Sequence, residues 1–176
     1  RHGDIATIMT DSQHPDDPLR LDRQICFPLY AASNLINRLY RPVLSKLGLT
    51  YPQYLVMLVL WEGAPQSVGT LGARLHLDSG TLTPLLKRME AAGLVSRRRD
   101  AADERRVLVD LTQKGRDLRA RARHVPLTLG AGLGLTPEEV VQLRDTVTRL
   151  VDTLSAHGAA GPAATAAGPA GPRSDE

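Results

Sequence analysis

Cysteine and aromatic residues are scarce in this sequence, and each scarcity restricts what the protein can be. The single cysteine, Cys26, excludes an internal disulfide and fits a reducing cytosol. All six aromatic residues follow it within one segment: Phe27, Tyr30, Tyr40, Tyr51, Tyr54 and Trp61. This concentration calls for a structural or a chemical reason.

Long hydrophobic runs and targeting signals are also missing. The longest apolar stretch, from Tyr54 to Trp61, is far shorter than the ~20 residues that span a bilayer, and no signal-peptide pattern opens the sequence. We therefore expect a cytoplasmic protein with no membrane partner. Met9 is a candidate natural start, in which case residues 1–8 derive from a vector.

Metal-binding and catalytic patterns are not found either. The five histidines, at positions 2, 14, 76, 124 and 157, are scattered without ligand spacing. There is no glycine-rich phosphate loop and no nucleophile elbow. The sequence predicts no catalytic residue, no metal site and no cofactor, and it favours a protein that is not an enzyme.

The length and composition are those of one domain. The chain has 176 residues, and the 42% that are hydrophobic can supply a core. Residues 1–20 show no periodicity and predict a flexible arm, whereas residues 158–176 are rich in Ala, Gly and Pro and predict a disordered tail. Residues 21–157 are expected to form a compact domain or one subunit of an obligate dimer.

The sharpest periodicity lies in residues 70–112, where two short helices are predicted. Leu71 and Leu75 lie one helical turn apart, a tight turn follows, and Ser79 can cap the next helix. That helix ends at Gly93. One of its faces is predicted to be buried because apolar residues recur at i, i+3, i+4 and i+7, namely Leu82, Leu85, Leu86 and Met89.

The opposite face of this helix carries residue types that hydrogen-bond base edges or phosphates. The candidate DNA contacts are Ser79, Thr81, Thr83, Lys87 and Arg88. Pro84 lies among them and removes one helical hydrogen bond, whose acceptor would be Gly80, the residue with least bulk to clash.

A β-hairpin with a charged tip is predicted next, because residues 94–99 and 106–111 flank a polar stretch. Residues 70–106 hold eight Lys or Arg against five Asp or Glu, an excess equal to the net charge of +3 for the whole chain. A charge run alone is more often a solvated face. Here the run of basic residues coincides with two helices followed by a hairpin. That combination predicts a DNA-binding element of the winged helix-turn-helix class, which we call the reader, in a mainly α protein.

Helices are predicted on the N-terminal side of this reader. Apolar residues recur at helical spacing from Leu21 to Leu47, and Pro28 either places the helix start near Phe27 or kinks the first turn. A second helix, capped by Thr50 with Pro52 in its first turn, is apolar almost all round and is expected to be buried.

Two further helices are predicted on the C-terminal side. Thr112 caps a helix that reaches about Leu129 and is broken by the glycines of residues 130–134. Thr136 begins another helix, whose apolar stripe consists of Val140, Leu143, Val147, Leu150, Val151 and Leu154. The residues alone allow this stripe to pack within its own subunit or against a second copy.

The segment that holds Cys26 and the tyrosines has two interpretations. A lone cysteine can be a small buried hydrophobe, and tyrosines can fill a helix interface. Alternatively, tyrosine hydroxyls donate hydrogen bonds to a thiolate and the positive end of a helix favours it, which are the two ingredients of peroxide reactivity. Both options for Pro28 leave Cys26 at or near a helix N-terminus.

Several motifs together resemble a known family. The stretch Leu77–Glu90, with Gly93-Leu94-Val95, Asp103-Glu104-Arg105 and Leu111-Thr112-x-x-Gly115 after it, is similar to the MarR family of bacterial transcription factors and, within it, to the organic-hydroperoxide regulators of the OhrR branch. The likeness runs from about Leu21 to His157. It implies a homodimeric repressor that binds double-stranded DNA at a pseudo-palindromic operator and releases it when an organic hydroperoxide oxidises the protein.

The resemblance also implies roles for individual residues. Cys26 matches the peroxide-sensing cysteine, Tyr40 and Tyr51 match the tyrosines that bond it across the dimer interface, and Tyr30 matches a third tyrosine of the pocket. Pro28 departs from the family pattern. With no second cysteine the chain resembles the one-cysteine type, whose oxidised cysteine reacts with a low-molecular-weight thiol.

The hairpin matches the family's wing. Arg105 corresponds to the wing-tip arginine that enters the minor groove, with Asp103 orienting it. Two alternatives from other classes stay open: a MarR-type repressor relieved by a bound phenolic molecule, with Cys26 merely structural, and a one-cysteine thiol peroxidase.

Overall fold

The computed structural model describes residues 17–159, so the arm predicted for residues 1–20 and the tail predicted for 158–176 fall almost wholly outside the described residues. The chain divides into two units, one up to Gly132 and one from Leu133. The first unit begins with a 3₁₀ turn, Leu21–Arg23. Its helices are α1 (Cys26–Ser45), α2 (Tyr51–Glu62), α3 (Val68–Leu75), α4 (Ser79–Ala91), α5 (Gln113–Ala122) and α6 (Val125–Leu133). Its strands are β1 (Gln66–Ser67), β2 (Val95–Arg99) and β3 (Val107–Leu111), and the second unit contains α7 (Pro137–Ala159).

The three strands form one antiparallel sheet in the order β1-β3-β2. In the hairpin, Val95 is opposite Leu111 and Arg99 is opposite Val107. The predicted wing is thereby confirmed, as is the mainly helical winged-helix fold. The pairing of β1 with β3 was not predicted, because two residues are too short for a periodic pattern.

Helix α4 buries the predicted stripe and begins one residue away from the predicted cap. The Asp78 carboxylate accepts the Thr81 N–H at 2.7 Å, so Asp78 is the cap and Ser79 is the first helical residue. The prediction of Ser79 as the cap was wrong. The stripe is fully enclosed, with Leu82 and Leu86 each 1% exposed and Met89 not exposed at all.

Helix α2 is the centre of the core. Its side chains are buried on several faces, and it contacts α1, α3, α4 and α5. The Trp61 Nε1–H donates to the Gly115 carbonyl oxygen at 2.9 Å and so joins α2 to α5. At its start, the Gln53 side chain accepts the Thr50 N–H, as expected of a helix that begins after Thr50.

Helix α1 begins at Cys26, which resolves the two options for its start. Pro28 lies in the first turn, where its missing N–H costs no helical hydrogen bond. The residues from Leu21 to Arg23 form a separate 3₁₀ turn, so of the two options the start near Phe27 is confirmed, and the apolar spacing before it does not belong to the helix.

The helix after the wing is interrupted earlier than predicted. Thr112 caps α5 as expected, since its hydroxyl accepts the Gly115 N–H at 3.1 Å. However, α5 ends at Ala122 and a second helix, α6, runs through Gly130 and Gly132; the predicted break is found only at Gly134, which has a φ of +64° and directly follows α6. Pro126 explains the interruption, because in a continuous helix its ring would clash with the carbonyl group of Ala122.

Helix α7 has the predicted start. The Thr136 N–H donates to the Glu139 carboxylate at 2.8 Å, and the Glu139 N–H donates to the Thr136 hydroxyl at 3.2 Å, which is a capping box. Apolar side chains of the helix are exposed, including Leu143 and Leu154. No helix in the described part of the chain is long and apolar enough to cross a membrane.

At Gly115, the backbone of α5 packs directly against the backbone at the start of the wing. A Cβ atom at this position would lie 2.2 Å from the Leu94 carbonyl oxygen, so Gly115→Ala should lower the free energy of unfolding by about 1–3 kcal/mol. Gly69→Ala is the matched control, because its Cβ would meet no atom closer than 3.8 Å. Urea unfolding measures both variants, and equal stability of the two would contradict this packing constraint.

Candidate DNA-binding and redox site

The outward face of α4 carries the predicted reader residues. Ser79, Thr81, Thr83, Lys87 and Arg88 are all exposed, because the opposite face is buried in the core. The Thr81 hydroxyl also donates to the Asp78 carboxylate at 3.1 Å, so this side chain contributes to the cap. The helix therefore presents three hydroxyl-bearing residues in its first half and two cations in its second half.

The wing tip is ordered by local hydrogen bonds. The Asp100 N–H donates to the Arg106 carbonyl oxygen at 2.9 Å, and the Arg106 N–H donates to the Asp103 carbonyl oxygen at 2.9 Å. The Asp103 carboxylate accepts the Arg105 N–H at 3.1 Å. Asp103 thus contacts Arg105 through the backbone, and the Arg105 side chain is exposed at the tip.

A groove of about 480 Å³ separates α4 from the wing, and we call it the helix–wing groove. Thr83 and Leu86 line it on the α4 side, and Arg97, Arg105 and Arg106 line it on the wing side. Three arginines beside an exposed helix form a concave basic surface that suits a polyanion.

Glu90 and Arg97 form an ion pair that the sequence did not predict. One carboxylate oxygen of Glu90 accepts the Arg97 N–H at 3.0 Å, and the other accepts Nε at 2.9 Å and Nη2 at 2.6 Å. Hydrogen bonding from the Arg97 side chain lowers the pKa of Glu90. Arg97, although basic, is therefore paired within the protein.

The structure separates Cys26 from the tyrosines that were expected to bond it. Cys26 is the first residue of α1 and is exposed, and Tyr30 follows one turn later, 68% exposed. Tyr40 lies 14 residues along the same helix, which at ~1.5 Å per residue is about 21 Å from Cys26 along the axis. Tyr40 therefore cannot bond the Cys26 of its own subunit.

Tyr40 and Tyr51 are brought together, and the structure adds Tyr54 to them. The ring centroids of Tyr40 and Tyr51 are 4.9 Å apart, and those of Tyr40 and Tyr54 are 6.0 Å apart. The sequence assigned Tyr54 no role of its own, but its place in this cluster follows from helical spacing, because it lies one turn after Tyr51 on helix α2.

Burial raises the pKa of these tyrosines further above neutral pH. Burial, with smaller contributions from Tyr51 and Tyr54, raises the pKa of Tyr40 to about 12, and burial also raises the pKa of Tyr51. At neutral pH both residues carry a hydroxyl proton that can be donated to an anion.

Several apolar side chains in and just before the N-terminal half of α1 are uncovered in the single subunit. Ile25 is 74% exposed, and Phe27, Leu29 and Leu35 are exposed as well. Among residues 17–159, no cluster of three or more His, Cys, Asp or Glu side chains could hold a metal ion. Cys26 thus presents an exposed thiol beside exposed apolar side chains.

The pKa of Tyr40 predicts a loss of stability at alkaline pH. The folded chain holds this proton up to a pH of about 12, whereas an unfolded tyrosine releases it near pH 10, so the free energy of unfolding should fall as the pH rises from about 10 to 12. Tyr40→Phe should make that fall shallower. Urea unfolding at a series of pH values measures the slope, and an identical slope in the variant would contradict the assignment.

Comparisons with known proteins agree with this geometry. Residues 38–121 match the family model described as transcriptional regulator SarA/Rot. The chain is 52% identical over 141 residues to the HTH-type transcriptional regulator TtmR of Methylorubrum extorquens. The matched segment covers 80% of this chain and 72% of the relative. The chain is 46% identical over 141 residues to the organic hydroperoxide resistance transcriptional regulator of Bacillus subtilis, covering 78% of this chain and 94% of the relative.

A solved structure gives the same result. The structure of reduced AbfR bound to DNA, a protein of Staphylococcus epidermidis, is 36% identical with a TM-score of 0.63 and covers 77% of this chain and 94% of that one. These similarities extend over the reader and the helices that flank it. The chain therefore belongs to the MarR family of transcriptional regulators, on the branch that contains the organic hydroperoxide resistance regulators.

Proposed function

We propose that this regulator is a homodimeric repressor that releases its operator when an organic hydroperoxide oxidises Cys26. The observation that carries the proposal is the placement of Cys26, at the first position of α1 and on an exposed apolar surface. The Bacillus subtilis relative, named for organic hydroperoxide resistance, supports the same stimulus. Because the protein acts on chromosomal DNA, we assign it to the cytoplasm.

The homodimer follows from the distance between the thiol and its expected partners. A second copy related by a twofold axis can bring the partner's cysteine to the adjacent rings of Tyr40, which is buried, and Tyr51, which is half-buried, whereas the same subunit cannot. The exposed side chains of Ile25, Phe27 and Leu29 supply apolar area for such an interface. The hydroxyls of Tyr40 and Tyr51 then donate hydrogen bonds to the thiolate, and Tyr30 helps to enclose the pocket.

The chemistry is a two-electron oxidation. The thiolate sulfur attacks the terminal oxygen of the hydroperoxide, an S–O bond forms as the O–O bond breaks, and the leaving alkoxide takes a proton to become an alcohol. Cys26 becomes a sulfenic acid. With no second cysteine in the chain, a low-molecular-weight thiol then attacks the sulfenic sulfur, forming a mixed disulfide and releasing water.

The reduced dimer binds DNA with both subunits. Two copies of α4 enter successive major grooves ~34–36 Å apart, so the operator is a pseudo-palindrome. Arg105 at each wing tip enters the adjacent minor groove. Oxidation acts at the surface where the subunits meet and changes the spacing of the two readers. The protein needs no catalytic turnover for this role.

Cys26→Ser tests the sensor directly. Serine keeps the size of the side chain but cannot form a sulfenic acid, so operator affinity should stay near wild type while release by cumene hydroperoxide is abolished. Gel shifts of both proteins, with and without the oxidant, measure this. Release of the variant at the same dose would refute the assignment of Cys26.

The same assay separates the two alternative functions. A regulator relieved by a phenolic ligand would release DNA with salicylate alone and would do so in Cys26→Ser. A thiol peroxidase would consume cumene hydroperoxide in many turnovers with a thiol reductant. We expect neither result, because oxidation of one cysteine per subunit accounts for release.

Replacing side chains of α4 and of the wing by alanine should weaken DNA binding in different ways. Arg88→Ala should cost ~1–3 kcal/mol and relax the preference at particular base pairs, whereas Lys87→Ala should weaken all sequences alike and reduce the salt slope by about 1. Arg105→Ala should weaken binding most where the minor groove is narrow and A·T-rich. Arg119→Ala, an exposed arginine of α5, is the control.

Binding isotherms at several salt concentrations, on operator and scrambled duplexes, measure these differences. Wild-type affinity in all three reader variants would show that DNA binds elsewhere on the protein.

A further inference from the structure

The contact between Glu90 and Arg97 joins the two parts of the reader. Glu90 lies in the last turn of α4, and Arg97 is the central residue of β2. The three hydrogen bonds between them use both carboxylate oxygens, two nitrogens of the guanidinium fork and one backbone N–H. Only the tight turn from Ala92 to Leu94 otherwise connects helix and strand along the chain.

This ion pair differs from the others near the wing. Arg106 and Asp100 are 3.7 Å apart within the wing, and Arg116 and Asp110 are 3.6 Å apart between α5 and β3. Glu90 and Arg97 approach to 2.6 Å, and their side chains are only 37% and 25% exposed. In the described part of the chain it is the ion pair that links α4 to the wing, and its forked geometry restricts rotation as well as distance.

One member of the pair, Arg97, faces the helix–wing groove. Arg97 lines that groove together with Arg105 and Arg106. Because its Nε and Nη2 atoms already bond a carboxylate, Arg97 is poorly placed to serve as a phosphate contact. Its position between the two reading elements suits a role in holding them apart at a fixed distance.

We infer that Glu90 is a positioning residue for DNA binding, which through Arg97 holds the wing at the angle that lets Arg105 and α4 engage one duplex together. The inference rests on the proposed minor-groove role of Arg105. Loss of the pair leaves each contact residue in place but lets the wing move against α4, so fewer complexes make both contacts at once.

Glu90→Gln distinguishes positioning from simple electrostatics by the sign of its effect. The change removes a negative charge from a DNA-binding surface, which by charge alone would tighten binding to every duplex. Because it weakens the fork to Arg97, we expect instead that operator affinity falls about tenfold. Affinity for a scrambled duplex should stay the same or rise slightly.

Arg97 variants give the second test. Arg97→Gln should reproduce the loss of operator affinity without lowering the salt slope. Arg97→Lys should behave like Arg97→Gln, because lysine keeps the charge but has no planar pair of N–H groups that can converge on one carboxylate oxygen of Glu90. Arg98→Gln is the matched control: Arg98 is exposed and points to the other face of β2, so its loss should affect operator and scrambled duplexes alike.

Combining Glu90→Gln with Arg105→Ala in a double-variant cycle shows whether Arg105 is the residue that Glu90 positions. If Glu90 acts through the wing, adding Glu90→Gln to Arg105→Ala should cost little further operator affinity, because no wing contact is left to align. Circular dichroism and the fluorescence of Trp61 confirm that each variant is folded before binding is measured.

The outcomes separate the two hypotheses. The positioning role would be overturned if Glu90→Gln bound the operator as tightly as wild type or more tightly, or if its effect added fully to that of Arg105→Ala. It would also be overturned if Arg97→Lys restored operator affinity while Arg97→Gln lowered the salt slope. A silent Arg105→Ala would overturn the proposed wing contact itself, and the positioning of Arg105 with it.

Discussion

Burial of the inward face of α4 is the interaction on which the reader depends. Leu82, Leu86 and Met89 are enclosed against the core built around α2, and removing each such side chain from water contributes about 1.5–3 kcal/mol. With that face fixed inward, the polar face of the same helix can only point outward. The outward direction of the side chains that are predicted to read DNA is therefore a result of core packing and needs no further interaction.

Close backbone contacts fix the neighbours of α4 in the same way. A Cβ atom on Gly72 would lie 2.8 Å from the Leu77 carbonyl oxygen, and one on Gly115 would lie closer still to Leu94. The turn before α4 and the junction after the wing are thus packed backbone against backbone. The side chains of Glu90 and Arg97 add a polar link from α4 to β2.

The proposed sensor has the opposite property, since a single subunit leaves it incomplete. Along α1 the helical rise separates Cys26 from Tyr40 by about 21 Å, so a thiol hydrogen-bonded to that tyrosine requires a second chain. The apolar residues around Cys26 have no cover within the described part of the chain. On this proposal one assembly step completes both the sensor and the pair of readers.

Local periodicity and cap residues predicted most of the fold. The stripe of α4, the hairpin, and the caps at Thr112 and Thr136 follow from spacing alone. The cap of α4 was misplaced by one residue because Asp78 and Ser79 are adjacent and both residue types are good caps. The break between α5 and α6 was misplaced because Pro126, and not the glycines that follow it, interrupts the helix there.

Tertiary proximity accounts for what the sequence could not predict. Glu90 and Arg97 meet only because the chain reverses at Gly93, where φ is +69°, and brings β2 back beside α4. Strand β1 pairs with β3 across a long stretch of chain. The reader residues were identified correctly as exposed, but their contacts with DNA are still predictions.

The two faces of α4 have consequences for how such a protein can evolve. Positions such as Thr83, Lys87 and Arg88 contribute nothing to the core, so mutation can replace them without unfolding the domain. After gene duplication, a copy could drift to a new target sequence while it keeps the stability and the stimulus of its parent. Because the buried face and the predicted DNA-reading face lie on opposite sides of α4, substitutions could change the recognised DNA sequence with little effect on the stability of the domain.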